Sequence, residues 1–128
     1  MCGIIAYHGR KKTVPIILNG LKKLEYRGYD SAGIAIMNNS KIEVFKKAGK
    51  IIELEKVVDN STDGYMAIGH SRWATHGEPN DINAHPHLDN SGRIALIHNG
   101  IIENQSQIKS YLEMKGYSFK SKTDTEVL

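Results

Sequence analysis

Ala32-Gly33-Ile34-Ala35-Ile36-Met37-Asn38-Asn39-Ser40-Lys41-Ile42-Glu43-Val44-Phe45-Lys46-Lys47 reads as two strands folded about a polar turn. Residues 32–37 are an apolar run carrying Ile34 and Ile36. Residues 38–40 supply turn chemistry, and residues 41–47 return along the first strand. Such a hairpin calls for a sheet with antiparallel pairs. Upstream, Val14, Ile17, Leu18, Leu21 and Leu24 recur at helical spacing. Thr13 is the expected N-cap and Pro15 sits in the first turn, so residues 14–25 are predicted as an amphipathic helix. Before it, residues 3–8 carry Ile4, Ile5 and Tyr7 and read as a buried strand.

Downstream the pattern thins. Residues 51–58 read as a helix, 59–64 as a polar loop and 65–71 as a strand. Residues 73–91 contain Gly77, Pro79 and Pro86 and read as one long loop. A strand is expected at 93–98, ending on Asn99-Gly100. A helix from about 103 to 115 follows, with Gly116 as its stop. Residues 117–120 alternate like a strand. Thr123-Asp124-Thr125-Glu126 has the form of a capping box, which predicts a new helix. The sequence stops at Leu128, within that helix's first turn, and we therefore expect the chain to be part of something longer. Strands interspersed with helices, with an antiparallel hairpin among them, give an α+β domain.

The 128 residues are 40% hydrophobic and 24% charged, which is globular composition. No apolar run approaches a membrane span, and no basic lead and apolar stretch mark a secretory leader. A lone cysteine forms no internal disulfide, so nothing asks for an oxidising compartment and a cytoplasmic location is expected. The net charge is +3, with eleven bases and five acids in residues 1–58. The basic clusters are short and no nucleic-acid motif accompanies them, so neither nucleic acid nor membrane is expected as a partner.

The chemistry-bearing residues are individually ambiguous. Cys2 becomes N-terminal if Met1 is removed. Its thiol and a freed α-amine, which ordinarily titrates near pH ~8, would then share one residue as nucleophile and base. From position alone an incidental cysteine is the commoner reading. Arg72 leaves a strand into a long loop, and its planar fork suits a carboxylate, although a pairing with a surface acid is commoner. Asn99 and the Gly100 N–H could receive an oxyanion, or form a plain Asn-Gly turn. Asp124 begins a helix, as a ligand or as a cap. His85 and His87 have a two-ligand spacing, but no third ligand lies near, so no metal is read there.

Order adds what single residues lack. Met1-Cys2-Gly3-Ile4-Ile5 resembles the opening of the N-terminal-nucleophile, or class II, glutamine amidotransferases. The runs Leu24 to Gly33, His70 to Pro79, Asn83 to His87, His98 to Asn104 and Thr123 to Glu126 are similar to the branch that aminates fructose 6-phosphate to glucosamine 6-phosphate. The resemblance covers the whole chain. It implies a four-layer αββα sandwich of two antiparallel sheets, present here in part, with the sugar-isomerase domain absent. It implies L-glutamine as substrate, no cofactor, ammonia passed to fructose 6-phosphate, and a homodimeric full-length protein. Cys2 would be the nucleophile, with Asn99 and Gly100 as oxyanion hole. Arg72, helped by Thr75 and His76, would hold the substrate α-carboxylate. Asp124 and the Gly100 carbonyl would hold the α-ammonium. Arg27 would line the site, and Trp73 would lie on the loop that gates ammonia.

Overall fold

The computed structural model describes residues 1–59, 61–62, 64–74 and 77–128. Its sheet is built around the hairpin. Strands β1 (Gly3–His8), β2 (Ser31–Asn38), β3 (Lys41–Ala48) and β4 (Met66–Arg72) pair in the order β1-β4-β2-β3, and every pair is antiparallel. Asn38 faces Lys41 across the turn. Asn39 and Ser40 take the left-handed backbone, at φ 44° and 69°, that a tight hairpin with matching strand twist needs.

One face of this sheet carries the apolar core. Helix α1 (Thr13–Leu24) buries Val14, Ile17, Leu18 and Leu21, and α2 (Ile51–Val57) buries Ile51 and Leu54. They close over Ala32, Ile34 and Ile36 of β2 and Ala67 of β4. Each large side chain so buried contributes about 1.5–3 kcal/mol. The helix begins one residue before its expected start. Thr13 is fully buried inside the first turn, and Lys12 occupies the cap position without a side-chain bond.

Strand alternation sends the other set of side chains away from the helices. In β4, Ala67 belongs to the core and Gly69 lies under Ile17, so Ile68, His70 and Arg72 face the opposite way. The segment around residue 85 lies against that second face. A Cβ at Gly33 would run into the His85 carbonyl oxygen, so glycine is required for the contact.

The rest of the chain differs from its sequence pattern in four places. Residues 73–91, expected to be loop throughout, contain β5 (His87–Leu88). It pairs with β6 (Ala95–Leu96), all that forms of the strand expected at 93–98. Asp89 takes the Arg93 and Ile94 amides at 2.8 Å each, which ends the ladder early. Residues 117–120 form no strand. The Asn90 side chain satisfies both backbone groups of Ser118, and Glu126 accepts from the Lys120 amide. Glu126 is thereby drawn away from the capping box, and Thr125–Val127 is a three-residue 3-10 turn with Asp124 at its N-cap. Helix α3 (Gln105–Met114) forms as expected. The chain turns at Gly116, at φ 91°, where Tyr117 N–H returns to the Leu112 carbonyl. Among the described residues no helix is long and apolar enough to cross a membrane.

Candidate active site

Register brings three strand ends to one edge of the sheet. Gly3 pairs with Ser71 and Ser31 pairs with Arg72, so the residues just outside β1 and β2 meet the residues leaving β4. Cys2 therefore lies beside Trp73. The Trp73 N–H donates to Cys2 Sγ at 3.1 Å, and Sγ lies 3.5 Å from the Trp73 carbonyl oxygen. Asp30 is fixed at the same edge. Its amide donates to the Arg72 carbonyl at 3.1 Å, and its Oδ2 accepts from Ala74 N–H at 2.7 Å.

A cavity of about 440 Å³ opens over this edge. Cys2, Arg27, His70, Arg72 and Trp73 line it from the sheet side, and Asn99, Gly100, Thr123 and Asp124 from the other. Asn99 donates from Nδ2 to the Cys2 carbonyl at 3.2 Å, while its Oδ1 lies 2.8 Å from His70 Nε2. Gly100 has φ 140°, a backbone that other residues rarely adopt. Asp124 is buried. Its Oδ2 accepts from Ile102 N–H at 2.8 Å, tying the 99–102 segment to the last turn, and its Oδ1 accepts no hydrogen bond among the described residues.

Arg72 is 3% exposed. Its guanidinium donates to the Gly77 and Glu78 carbonyls at 3.2 and 3.4 Å. Burial lowers its affinity for a proton, and its electrostatic interactions with Cys2, Asp30 and Asp124 oppose that. Arg27 Nη2 points at the Met1 sulfur at 3.7 Å, and Arg27 Nε is buried without a partner among the described residues.

Behind Asn99 lies a row of three histidines. His70 stacks on His85 with ring centroids 4.3 Å apart, and His85 meets His87 edge-on at 4.7 Å. His87 Nε2 reaches Thr123 Oγ1 at 2.9 Å, next to Asp124. Burial is the main cause that takes His70 and His87 down to about 4 and His85 to about 2, so all three are neutral at pH 7.

The chain can now be set beside known proteins. Residues 57–128 match a glutamine amidotransferase domain family. The chain belongs to that family. Curated relatives of this chain include the glutamine–fructose-6-phosphate aminotransferases (isomerizing) of Clostridium acetobutylicum, Bacteroides thetaiotaomicron and Staphylococcus aureus, at 56%, 56% and 55% identity. Each match covers 100% of this chain but 21% of the relative. Among solved structures, the glutamine phosphoribosylpyrophosphate amidotransferase of B. subtilis, complexed with ADP and GMP, superposes with a TM-score of 0.83 at 34% identity. The overlap spans 99% of this chain and 28% of that one. The α+β, N-terminal-nucleophile fold expected from the sequence is therefore present.

Of the expected site residues, the cavity brings together Cys2, Arg27, Arg72, Trp73, Asn99, Gly100 and Asp124. Thr75 and His76 lie outside the described residues. Trp73 touches Cys2 through its backbone, while its ring packs edge-on against Tyr29 at 5.5 Å. His85 and His87, first read for metal spacing, are occupied in the histidine row. Sequence reasoning missed His70 and Asp30. Period-two alternation was the available signal for His70, two residues before Arg72 on the same strand face. Nothing local marked Asp30, whose role depends on strand register.

Proposed function

We propose that this chain is the N-terminal part of a glutaminase domain, hydrolysing the side-chain amide of L-glutamine to glutamate and ammonia. The observation that carries the reading is the convergence of Cys2, Asn99, Gly100, Arg72 and Asp124 on one cavity. A zwitterionic amino acid needs a cation and an anion, and Arg72 and the open oxygen of Asp124 supply them. Cys2 Sγ attacks the amide carbon while its proton passes to the Cys2 α-amine, freed when Met1 is removed. Asn99 Nδ2 and the Gly100 N–H receive the oxyanion. Collapse returns a proton to the leaving nitrogen, releases ammonia and leaves a γ-glutamyl thioester on Cys2. Water then attacks the thioester and glutamate departs. With Met1 in place the Cys2 nitrogen is a peptide amide with no basic lone pair, and the chain in that form is expected to be inactive.

The names of the relatives support fructose 6-phosphate as the ammonia acceptor, through a sugar-isomerase portion outside these residues. The full protein would be a cytoplasmic homodimer. The test is Cys2→Ala in the full-length enzyme, with glutamate and ammonia release measured. Loss of both supports the proposal, and turnover within about tenfold of wild type overturns it.

A further inference from the structure

We propose that His70 is a positioning residue for Asn99: its Nε2–H holds the amide oxygen, so that the amide nitrogen faces Cys2. This rests on the glutaminase reading of the same cavity. The hydrogen bonds permit one arrangement. The Cys2 carbonyl oxygen accepts only, so the Asn99 atom 3.2 Å from it is the nitrogen. The Asn99 oxygen is then the atom 2.8 Å from His70 Nε2. That oxygen also accepts only, so the imidazole proton is on Nε2 and Nδ1 is bare. Nδ1 is indeed buried without a hydrogen-bond partner among the described residues.

The ring is held to this role. His70 is 1% exposed, and its ring lies nearly parallel to His85, at 18° and 4.3 Å. His85 is itself held by its backbone approach to Gly33, which leaves no room for a Cβ. The stack opposes a rotation that would exchange the two ring nitrogens. The Asn99 amide is held at both ends, its oxygen by His70 and its nitrogen by the Cys2 carbonyl. An Asn amide turned by half a revolution is nearly isosteric, yet it presents oxygen where the tetrahedral intermediate presents O⁻. His70 secures the productive orientation at the oxygen end of the amide.

The experiment is a kinetic double-mutant cycle in the full-length enzyme, with Cys2→Ala as control and thermal unfolding run on every variant. His70→Phe keeps a planar ring and removes the donor. It is expected to lower glutaminase kcat by roughly ten- to a hundredfold, up to the loss of one oxyanion donor, with KM for glutamine within about threefold. In an Asn99→Ala background the same change is expected to alter kcat by less than about twofold, because no amide remains to orient. His70→Gln, which restores a side-chain N–H, is expected to recover most of the kcat. Should His70→Phe fail to fold, His70→Met against His70→Gln makes the same donor comparison. Losses that multiply in the double variant, or an unchanged kcat in the donor-free variants, overturn the proposal. An enzyme in which Cys2→Ala is as active as wild type overturns the glutaminase reading and the proposal with it. A dead Cys2→Ala beside a fully active His70→Phe overturns the positioning role alone.

Discussion

Residues 1–72 and residues 77–128 are stabilised by different means. The apolar cluster lies wholly in the first, between Val14 and Ala67. Past Arg72 the buried apolar side chains, among the described residues, are Ala84, Pro86 and Val127. What is buried there instead is polar: Asn83, His85, His87, Ser121, Thr123, Asp124 and Thr125. Apolar burial is large but non-directional, and fixes where elements sit. Hydrogen bonds contribute less each but depend on angle, and fix how groups point. The cavity lies on the seam. Its nucleophile and Arg72 hang from the apolar half, while Asn99, Gly100 and Asp124 come from the half that hydrogen bonds align.

Acid should separate the halves most. The three histidines have folded values below the ordinary 6.5, because burial disfavours their charge. Above pH 6.5 both folded and unfolded chains keep them neutral, and no penalty arises. As the pH falls from 6.5 towards 4 the unfolded chain binds protons that the folded chain refuses, so stability falls. Each histidine can lose up to about 1.4 kcal/mol per pH unit in that window. Below about 4 His70 and His87 protonate in place and their contribution levels off. Hydrogen exchange at pH 5 against pH 7.5 should show opening first around residues 83–88 and 121–125, with α1 still protected. Uniform loss of protection would break the comparison.

Next, Asn99→Ala should lower kcat about a hundredfold or more and leave KM nearly unchanged, because the donor serves the oxyanion rather than the ground state. A pure KM effect would move Asn99 into substrate binding. Ile17→Ala should do the reverse. Deleting a core side chain of α1 costs about 2–5 kcal/mol of stability, read by chemical denaturation, while kcat well below the melting temperature stays within about twofold. A large kcat loss there would show that the apolar half also sets the site's angles. Arg72→Lys, on the seam, should raise KM for glutamine roughly ten- to a hundredfold, since an ammonium offers no planar fork. An unchanged KM would make Arg72 a loop anchor through Gly77 and Glu78. Smallest is Asp89→Asn. Asp89 collects the amides of Ser91, Arg93 and Ile94 at an exposed turn. Its melting-temperature shift should be well below that of Ile17→Ala.

The same division explains what the sequence disclosed. In the apolar half, side-chain period and backbone period coincide, so β1, α1, the hairpin, α2 and β4 were legible to within a residue or two. In the polar half, side chains replace backbone partners. Asn90 takes both backbone groups of Ser118, so an alternating stretch is not a strand. Glu126 bonds the Lys120 and Ser121 amides instead of completing a capping box. No local pattern encodes such long-range choices. The candidate site was legible as a set of residues through resemblance. Its supports, His70 and Asp30, follow from register, which pairs strands distant in sequence.

The close approach of Gly33 to the His85 carbonyl bears on how this domain can be recombined. A strand of the apolar half and a loop of the polar half are cut to each other with no clearance. A chimera that imports residues 80–90 from a relative must keep glycine at the matching strand position, or the graft will stand off the sheet. The His85 ring would lift with it, and Asn99 would lose its alignment although neither Asn99 nor His70 had been exchanged. Crossovers should therefore keep residues 31–38 and 83–87 from one parent, however far apart they lie along the chain.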